Sequence, residues 1–297
     1  MAHESLRPLM FSIAYRMLGS VAEAEDIVQE ALLRVHRAED DGAAIESPKA
    51  YVTAVTTRLA IDHLRSARAR RETYPGTWLP EPVVEEREPA PARHVEMAES
   101  LSMAFLVMLE TLTPIERAVF LLREVFDYDY EEIAAIVEKT EPNCRQIFTR
   151  AKRHLEAGKP RFEASREKRE ALAREFFAAC EDGRLDDLVR MLASDAVFYG
   201  DGGGKAIAYP QPVHGPDRVG RLMQGIFAKG RQFGMLVQSV DVNGQPGVML
   251  FDSGHRLVAV MTVDIAGGVV QCVRSVVNPE KLGHLGPLSD ATRLPAR

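Results

Sequence analysis

Three sets of residues in this 297-residue chain have types and spacings that could do chemistry. Gly202, Gly203 and Gly204 stand side by side between Asp201 and Lys205, a composition suited to cradling phosphate. Arg145, Gln146, Thr149, Arg150, Lys152 and Arg153 crowd one short stretch and could hold base edges and phosphates. Asp201, Asp252, His255 and Asp264 offer acid–base groups.

A phosphate-binding P-loop needs Gly-x-x-x-x-Gly-Lys-Ser/Thr between a strand and a helix, so that backbone N–H groups, lysine and hydroxyl converge. Here Lys205 is followed by Ala206, and an extended stretch follows rather than a helix. The glycines therefore predict a tight turn, where positive φ costs little, or a surface loop that meets another part of the machinery. Nothing in the spacing converges the acid–base groups, so no catalytic residue, cofactor or metal site is assigned. His214 sits in a Pro-Val-His-Gly-Pro turn and reads as structural. Cys144, Cys180 and Cys272 stand alone, without the Cys-x-x-Cys spacing of a zinc or redox site. Reduced thiols in a cytoplasmic protein are the expectation.

The basic stretch follows "YEEIAAIV" at 130–137 and a turn at 138–141. Cys144, Ile147, Ala151 and Leu155 recur at helical spacing on one face. This predicts a helix–turn–helix: the apolar face docks the second helix, and its polar face enters a major groove. Arginine can hold guanine by two hydrogen bonds and glutamine can hold adenine, which suits Arg145 and Gln146. Arg150, Lys152 and Arg153 suit phosphates.

The elements that must position these groups are legible from pattern. Residues 4–37 predict two helices, with Ser20 capping the second and Glu23 completing the cap. Ser47-Pro48 opens a third helix to about Arg70. Residues 74–99 hold five prolines and no period, which predicts an acidic linker. Helices resume near Ser100, with Thr113-Pro114 as a further start. From Ala196 the apolar residues alternate in period two, with turns at Asn243-Gly244 and Gly267-Gly268. Helices followed by such strands predict an α+β domain.

Net charge is −6, and the acidic first half holds two basic islands. Residues 58–71 carry five arginines against Asp62. Residues 139–161 carry seven Lys/Arg against Glu141 and Glu156. Local basic faces on an acidic body suit a protein that grips DNA in places and meets other partners elsewhere. No apolar run approaches the ~20 residues that cross a bilayer. The N-terminus shows no signal-peptide pattern.

The order "AEDIVQEAL", "SPKAYVTAVTTRLAIDHLRSARARR", linker, "LTPIERAVFLLREVFDYDYEEIAAIV", "NCRQIFTRAKRHL" resembles the extracytoplasmic-function (group IV) sigma factors of the sigma-70 family. "WLPEP" at 78–82, "DGGGK" at 201–205 and "NPEKL" at 278–282 resemble the subgroup with a C-terminal SnoaL-like domain. The resemblance implies a multidomain fold: two all-α sigma domains, the second with the helix–turn–helix, then an α+β cone with a curved, mostly antiparallel sheet. It implies a region 2 domain at 1–73, a linker at 74–99, a region 4 domain at 100–162, a SnoaL-like domain at 166–282 and a tail at 283–297.

The resemblance also implies partners and roles. Asp26, Gln29 and Glu30 would bind the RNA polymerase core. Lys49, Arg58, Asp62, Arg65 and Arg68 would read the −10 element of promoter DNA, with a flipped base held near Gly42–Lys49. Arg145, Gln146, Thr149, Arg150, Lys152 and Arg153 would read the −35 element. Regulatory contacts would join Trp78, Leu79, Pro80, Glu81 and Pro82 of the linker to Asp201, Gly202, Gly203, Gly204 and Lys205 and to Asn278, Pro279, Lys281 and Leu282. Glu81, Glu85 and Glu86 would lie near Lys205 or Lys281. The C-terminal domain would fold back on the sigma domains and regulate them in cis. No membrane, cofactor or dedicated anti-sigma factor is implied. The alternatives are a SnoaL-like isomerase or hydrolase fused to a DNA-binding module, and a C-terminal dimerisation module.

Overall fold

The computed structural model describes residues 4–42, 45–85, 101–156 and 165–290, with backbone alone for 67–72 and 85. The chain divides into two compact units: residues 1–73 with 105–159, and residues 74–104 with 160–297.

The first unit is helical. α1 spans Arg7–Leu18, α2 Val21–Asp40 and α3 Pro48–Glu72. α1 ends on Gly19 in the left-handed region (φ 67°), and the Ser20 hydroxyl accepts from the Glu23 N–H (3.2 Å) to start α2. The three helices close over Met10, Val28, Ala31, Val35 and Val52, all buried. The Met and Val side chains among them each contribute about 1.5–3 kcal/mol on leaving water.

After α4, Met103–Leu109, come α5, Pro114–Glu124, α6, Tyr130–Val137, and α7, Glu141–Glu156. Thr113 with Glu116 and Asp129 with Glu132 form capping boxes that fix the starts of α5 and α6. α6 stops at Glu138, whose positive φ (56°) turns the chain into α7. Cys144, Ile147, Ala151 and Leu155 are buried, so the expected docking face is the observed one.

The second unit packs α8 (Arg166–Asp182), α9 (Leu185–Met191) and α10 (Pro216–Gln232) on a seven-stranded sheet. Its strands are β1 (Val84–Glu85), β2 (Leu192–Asp201), β3 (Val213–His214), β4 (Leu236–Val242), β5 (Gln245–Phe251), β6 (Leu257–Ala266) and β7 (Val269–Val276), ordered β1-β4-β5-β6-β7-β2-β3. Only β2 and β7 run parallel. Period two sorts the faces: Ala259, Met261, Val263 and Ile265 join Phe176, Phe177, Met223 and Phe227 in the core, and Thr262 and Asp264 point the other way. Irregular register in β2, β5 and β6 bends the sheet.

Part of the expected linker is structured. Residues 74–85 lie on the sheet unit. β1 pairs antiparallel with β4, Val84 opposite Val242, and Leu79, Pro80, Glu81 and Pro82 are buried. A proline-rich segment is already extended and lacks some N–H groups, which suits it to a sheet edge. Its docking covers the Asp241–Val242 end of β4, whose bare backbone there would otherwise invite other strands.

Part of the expected tail is structured as well. Residues 283–290 are docked: the Leu257 N–H donates to the Pro287 carbonyl (2.8 Å), and the Ser289 N–H donates to the Leu257 carbonyl (2.9 Å). His214 lies in β3, not in a free turn. Residues 86–99, with Glu86, residues 43–44 of the base-pocket region and residues 291–297 of the tail lie outside the described residues.

Candidate DNA-reading helices and the linker clasp

α7 presents the basic groups. Arg145, Gln146, Thr149 and Arg150 line one shallow groove, and Arg153 is exposed beyond them. Docking through Cys144 and Ile147 forces this: the remaining helix positions must face solvent. Arg145 is paired, its Nε donating to Glu141 (3.1 Å) and its Nη2 bonding the same carboxylate. The Thr149 hydroxyl donates to the Arg145 carbonyl (2.8 Å). Lys152 Nζ lies 3.0 Å from Glu124 of α5, so it is less available than its position suggests.

The −10 candidates fare differently from one another. Lys49 lies over the Tyr128 ring, 5.6 Å from its centroid. Arg58 donates to the Ile136 and Ala135 carbonyls (2.9 and 2.8 Å) and faces Glu138 (3.3 Å). It thus caps the C-terminal end of α6, where carbonyls lack helical partners and the dipole favours a cation. Thr53 of α3 and Tyr128, in the connection just before α6, share a buried hydrogen bond of 2.8 Å. Asp62 and Arg65 pair with each other in solvent (2.8 Å). The Arg68 side chain lies outside the described residues.

On α2, Asp26 and Gln29 are exposed and Glu30 is held by Arg34 (2.8 Å). Glu25, one residue before Asp26, pairs with Arg7. The acidic patch is therefore narrower than its sequence suggests.

In the sheet unit one buried carboxylate gathers the linker. Asp201, at the end of β2, is fully buried. Its Oδ1 accepts from the Tyr74 hydroxyl (2.5 Å) and its Oδ2 from the Leu79 N–H (2.8 Å) and Lys281 Nζ (2.6 Å). Lys281 also donates to the Leu79 carbonyl, and its ammonium stands 4.3 Å from the Trp78 ring centroid and 4.9 Å from that of Tyr74. Asn278 caps α11, Pro279–Leu282, and donates to the Tyr74 oxygen (2.9 Å). Burial first, and then Asp201, push the Tyr74 phenol well above its ordinary value, so it stays a donor. Each charge here is desolvated, and the added hydrogen bonds and rings offset that cost.

The three glycines serve this cluster. The Lys205 and Ala206 N–H groups both donate to the Gly202 carbonyl (2.9 and 3.0 Å), making a tight turn. Gly203 has φ 59°, and a Cβ there would stand 2.2 Å from Asn278 Nδ2 and 2.9 Å from the Tyr74 oxygen. Gly202 would meet the Ala206 carbonyl at 2.4 Å. Close approach, not phosphate, requires glycine. Lys205 pairs with Glu280 rather than with a linker glutamate.

Asn243 is a second clasp. Its positive φ (53°) suits the hairpin turn between β4 and β5. Its Oδ1 accepts from the Val83 N–H (3.0 Å), and its Nδ2 donates to the Leu101 carbonyl (2.9 Å). Sequence reading found it only as a turn residue; an Asn-Gly turn carries no mark of so distant a partner. Tyr74 and Tyr128 were missed for the same reason. Glu141 could have been found from its i,i+4 spacing to Arg145.

The acid–base groups do not converge. Asp252 bonds Ser289 (2.7 Å) and Arg256, Asp264 pairs with the buried Arg274, and Asp201 is committed to the linker. Burial works against the Arg274 charge, and Asp264 more than offsets it. Burial pushes the Cys272 thiol up to about 12 and raises Cys180 and Cys144 as well, which leaves the thiols unreactive. Among the described residues no group of His, Cys, Asp and Glu could hold a metal ion, and no helix is long and apolar enough to cross a membrane.

Comparison with known proteins agrees with this division. Residues 2–70 match Sigma-70 region 2, residues 102–155 match Sigma-70 region 4, and residues 173–274 match the SnoaL-like domain. The chain is 36% identical over 292 residues to the ECF RNA polymerase sigma factor SigJ of Mycobacterium tuberculosis, covering 94% of this chain and 91% of that one. It is 30% identical over 281 residues to the probable ECF RNA polymerase sigma factor SigI of the same species, covering 94% and 93%. The crystal structure of M. tuberculosis SigJ superposes with a TM-score of 0.76 at 33% identity, over 96% of this chain and 98% of that one. With two sigma regions in order, a SnoaL-like domain behind them and this likeness over nearly its whole length, the chain belongs to the ECF family of RNA polymerase sigma factors.

Proposed function

We propose that this protein directs core RNA polymerase to promoters, with α7 reading the −35 element, α3 reading the −10 element and the exposed Asp26–Gln29 face of α2 meeting the core. The carrying observation is α7, an apolar face buried in a helix–turn–helix and a cationic groove turned to solvent. We further propose that the SnoaL-like domain acts in cis, through its grip on the linker. That reading is supported by the Asp201–Lys281 cluster around Leu79 and Trp78. Restraint is also supported inside the helical unit, where Arg58 and Lys49 are spent on α6 and Tyr128.

Run-off transcription with core polymerase tests the reading. Full-length protein is expected to give promoter-specific transcripts. Asp26→Arg is expected to abolish core binding in a pull-down with melting nearly unchanged. Core affinity retained by that variant would remove α2 from the contact, and absence of any promoter-specific transcript would remove the function.

A further inference from the structure

We propose that Tyr130 and Glu141 are positioning residues that aim Arg145 at a single guanine of the −35 element; this rests on α7 being the −35 reader. The observation is a stack on the outer side of the helix–turn–helix. The Arg145 guanidinium lies over the Tyr130 ring, 4.4 Å from its centroid. Arg123 lies 5.2 Å from the same centroid and is itself tied to the Tyr128 carbonyl (2.8 Å). Phe148 meets Tyr130 edge-on, with centroids 6.1 Å apart. Tyr130 is thus wedged in place and offers Arg145 a fixed shelf.

Glu141 supplies the second restraint. Its Oε1 takes both Arg145 Nε and Nη2. Guanidinium has five N–H donors in a rigid fork. It can meet the O6 and N7 acceptors of guanine through the Nε/Nη2 side or through the Nη1/Nη2 end. Glu141 occupies the side, so the end remains for the base. A long side chain normally loses rotamer freedom on binding, and one already ordered by a shelf and a tether loses less. Glu141 also places a negative charge where α7 faces DNA, which disfavours loose attachment to phosphates. A fixed fork whose phosphate binding is opposed by its own tether is a device for discrimination rather than for affinity.

The test uses core polymerase loaded with full-length protein and a promoter library randomised across the −35 element. Wild type is expected to select guanine strongly at one position, and Arg145→Ala is expected to lose that preference by tenfold or more, about the worth of one good bidentate contact. Glu141→Ala is expected to flatten the same position while raising affinity for scrambled DNA. Its log-affinity against log-salt slope should steepen by roughly 0.9, as the freed arginine moves to a phosphate. Tyr130→Leu is expected to flatten that position, and Tyr130→Phe, which keeps the ring, to restore it. Glu141→Ala is a surface change, so it reads out even if Tyr130→Leu folds poorly. Wild-type base weights and salt slope in Glu141→Ala, with Arg145→Ala flattened, would overturn the inference. Wild-type DNA behaviour in both Arg145→Ala and Lys152→Ala would instead overturn the reading of α7 itself.

Discussion

The contacts that join α3 to α6 and those that join the linker to the sheet are built on different principles. Between the helices, the main cation is Arg58, 45% exposed, facing Glu138 at 73%. Water competes for both, and such a pair is worth little by itself. In the clasp, Asp201 and Lys281 are 0% and 8% exposed. Both are buried, so removing either leaves the other charge without its partner. The Arg58–Glu138 pair can open and close at small cost. The second is all or nothing, because parting two buried charges strands both. On the proposed restraint, a contact of the first kind yields to a partner of modest affinity, and the linker held by the second kind stays with its domain until something larger displaces it.

The largest expected effect lies in the clasp. Asp201→Ala leaves the Lys281 ammonium buried without its carboxylate and the Leu79 N–H without an acceptor. The expected loss is about 3–5 kcal/mol. Trp78 is the only tryptophan and reports directly on the site. Quenching by acrylamide should rise sharply, with the denaturation midpoint falling. Unchanged quenching and midpoint would make the clasp no stronger than the helical contact.

A smaller effect is expected at the buried part of the helical contact. Tyr128→Phe removes the hydroxyl shared with Thr53, at a cost of about 1 kcal/mol. Neither residue is a proposed DNA contact, so the variant separates packing from reading. A Thr53/Tyr128 double-mutant cycle should give a coupling of that size, and transcription at limiting protein should rise. A coupling near zero would leave Arg58 and Lys49 as the whole contact.

The smallest effect concerns pH. The Ser289 hydroxyl first, then the Arg256 N–H, hold the Asp252 carboxyl down to about 2 from 3.8. A carboxylate whose folded value is depressed stabilises fully above its ordinary range and loses that contribution as pH falls toward 2. The strap at 287–289 should therefore loosen between about pH 4 and 2. Amide exchange at Ser289 checks this. Protection that does not change across that range would show the strap is held by its backbone bonds alone.

What the sequence disclosed follows from periodicity. Cys144, Ile147, Ala151 and Leu155 repeat, so their burial and the exposure of Arg145 and Gln146 could be read before any coordinates. The alternation after Ala196 disclosed the strands in the same way. Residues 74–85 have no period and were legible only as a linker. Their partners, Asn243, Asp201 and Lys281, are far along the chain, and a buried carboxylate looks like any other aspartate in a list of residues. Resemblance brought "WLPEP", "DGGGK" and "NPEKL" together; it did not disclose that Asp201 is the atom-level hub, nor that Lys205 turns away to Glu280. Arg58 was legible as a cation on α3, but the carbonyls it caps belong to a helix that only the fold brings near.

Asn243 has a mechanical meaning. Val83 and Leu101 both end on its side chain, so the chain leaves that point and returns to it. The ~17 residues between them could reach roughly 55–60 Å if drawn straight, yet while both bonds hold they contribute no span. The −10 and −35 elements, about 25 base pairs apart by name, are separated by roughly 85 Å of duplex at 3.4 Å per step. While Asn243 holds both ends, a single side-chain amide fixes the span between residues 83 and 101, and on the proposed reading of α3 and α7 that amide limits how far the linker can extend.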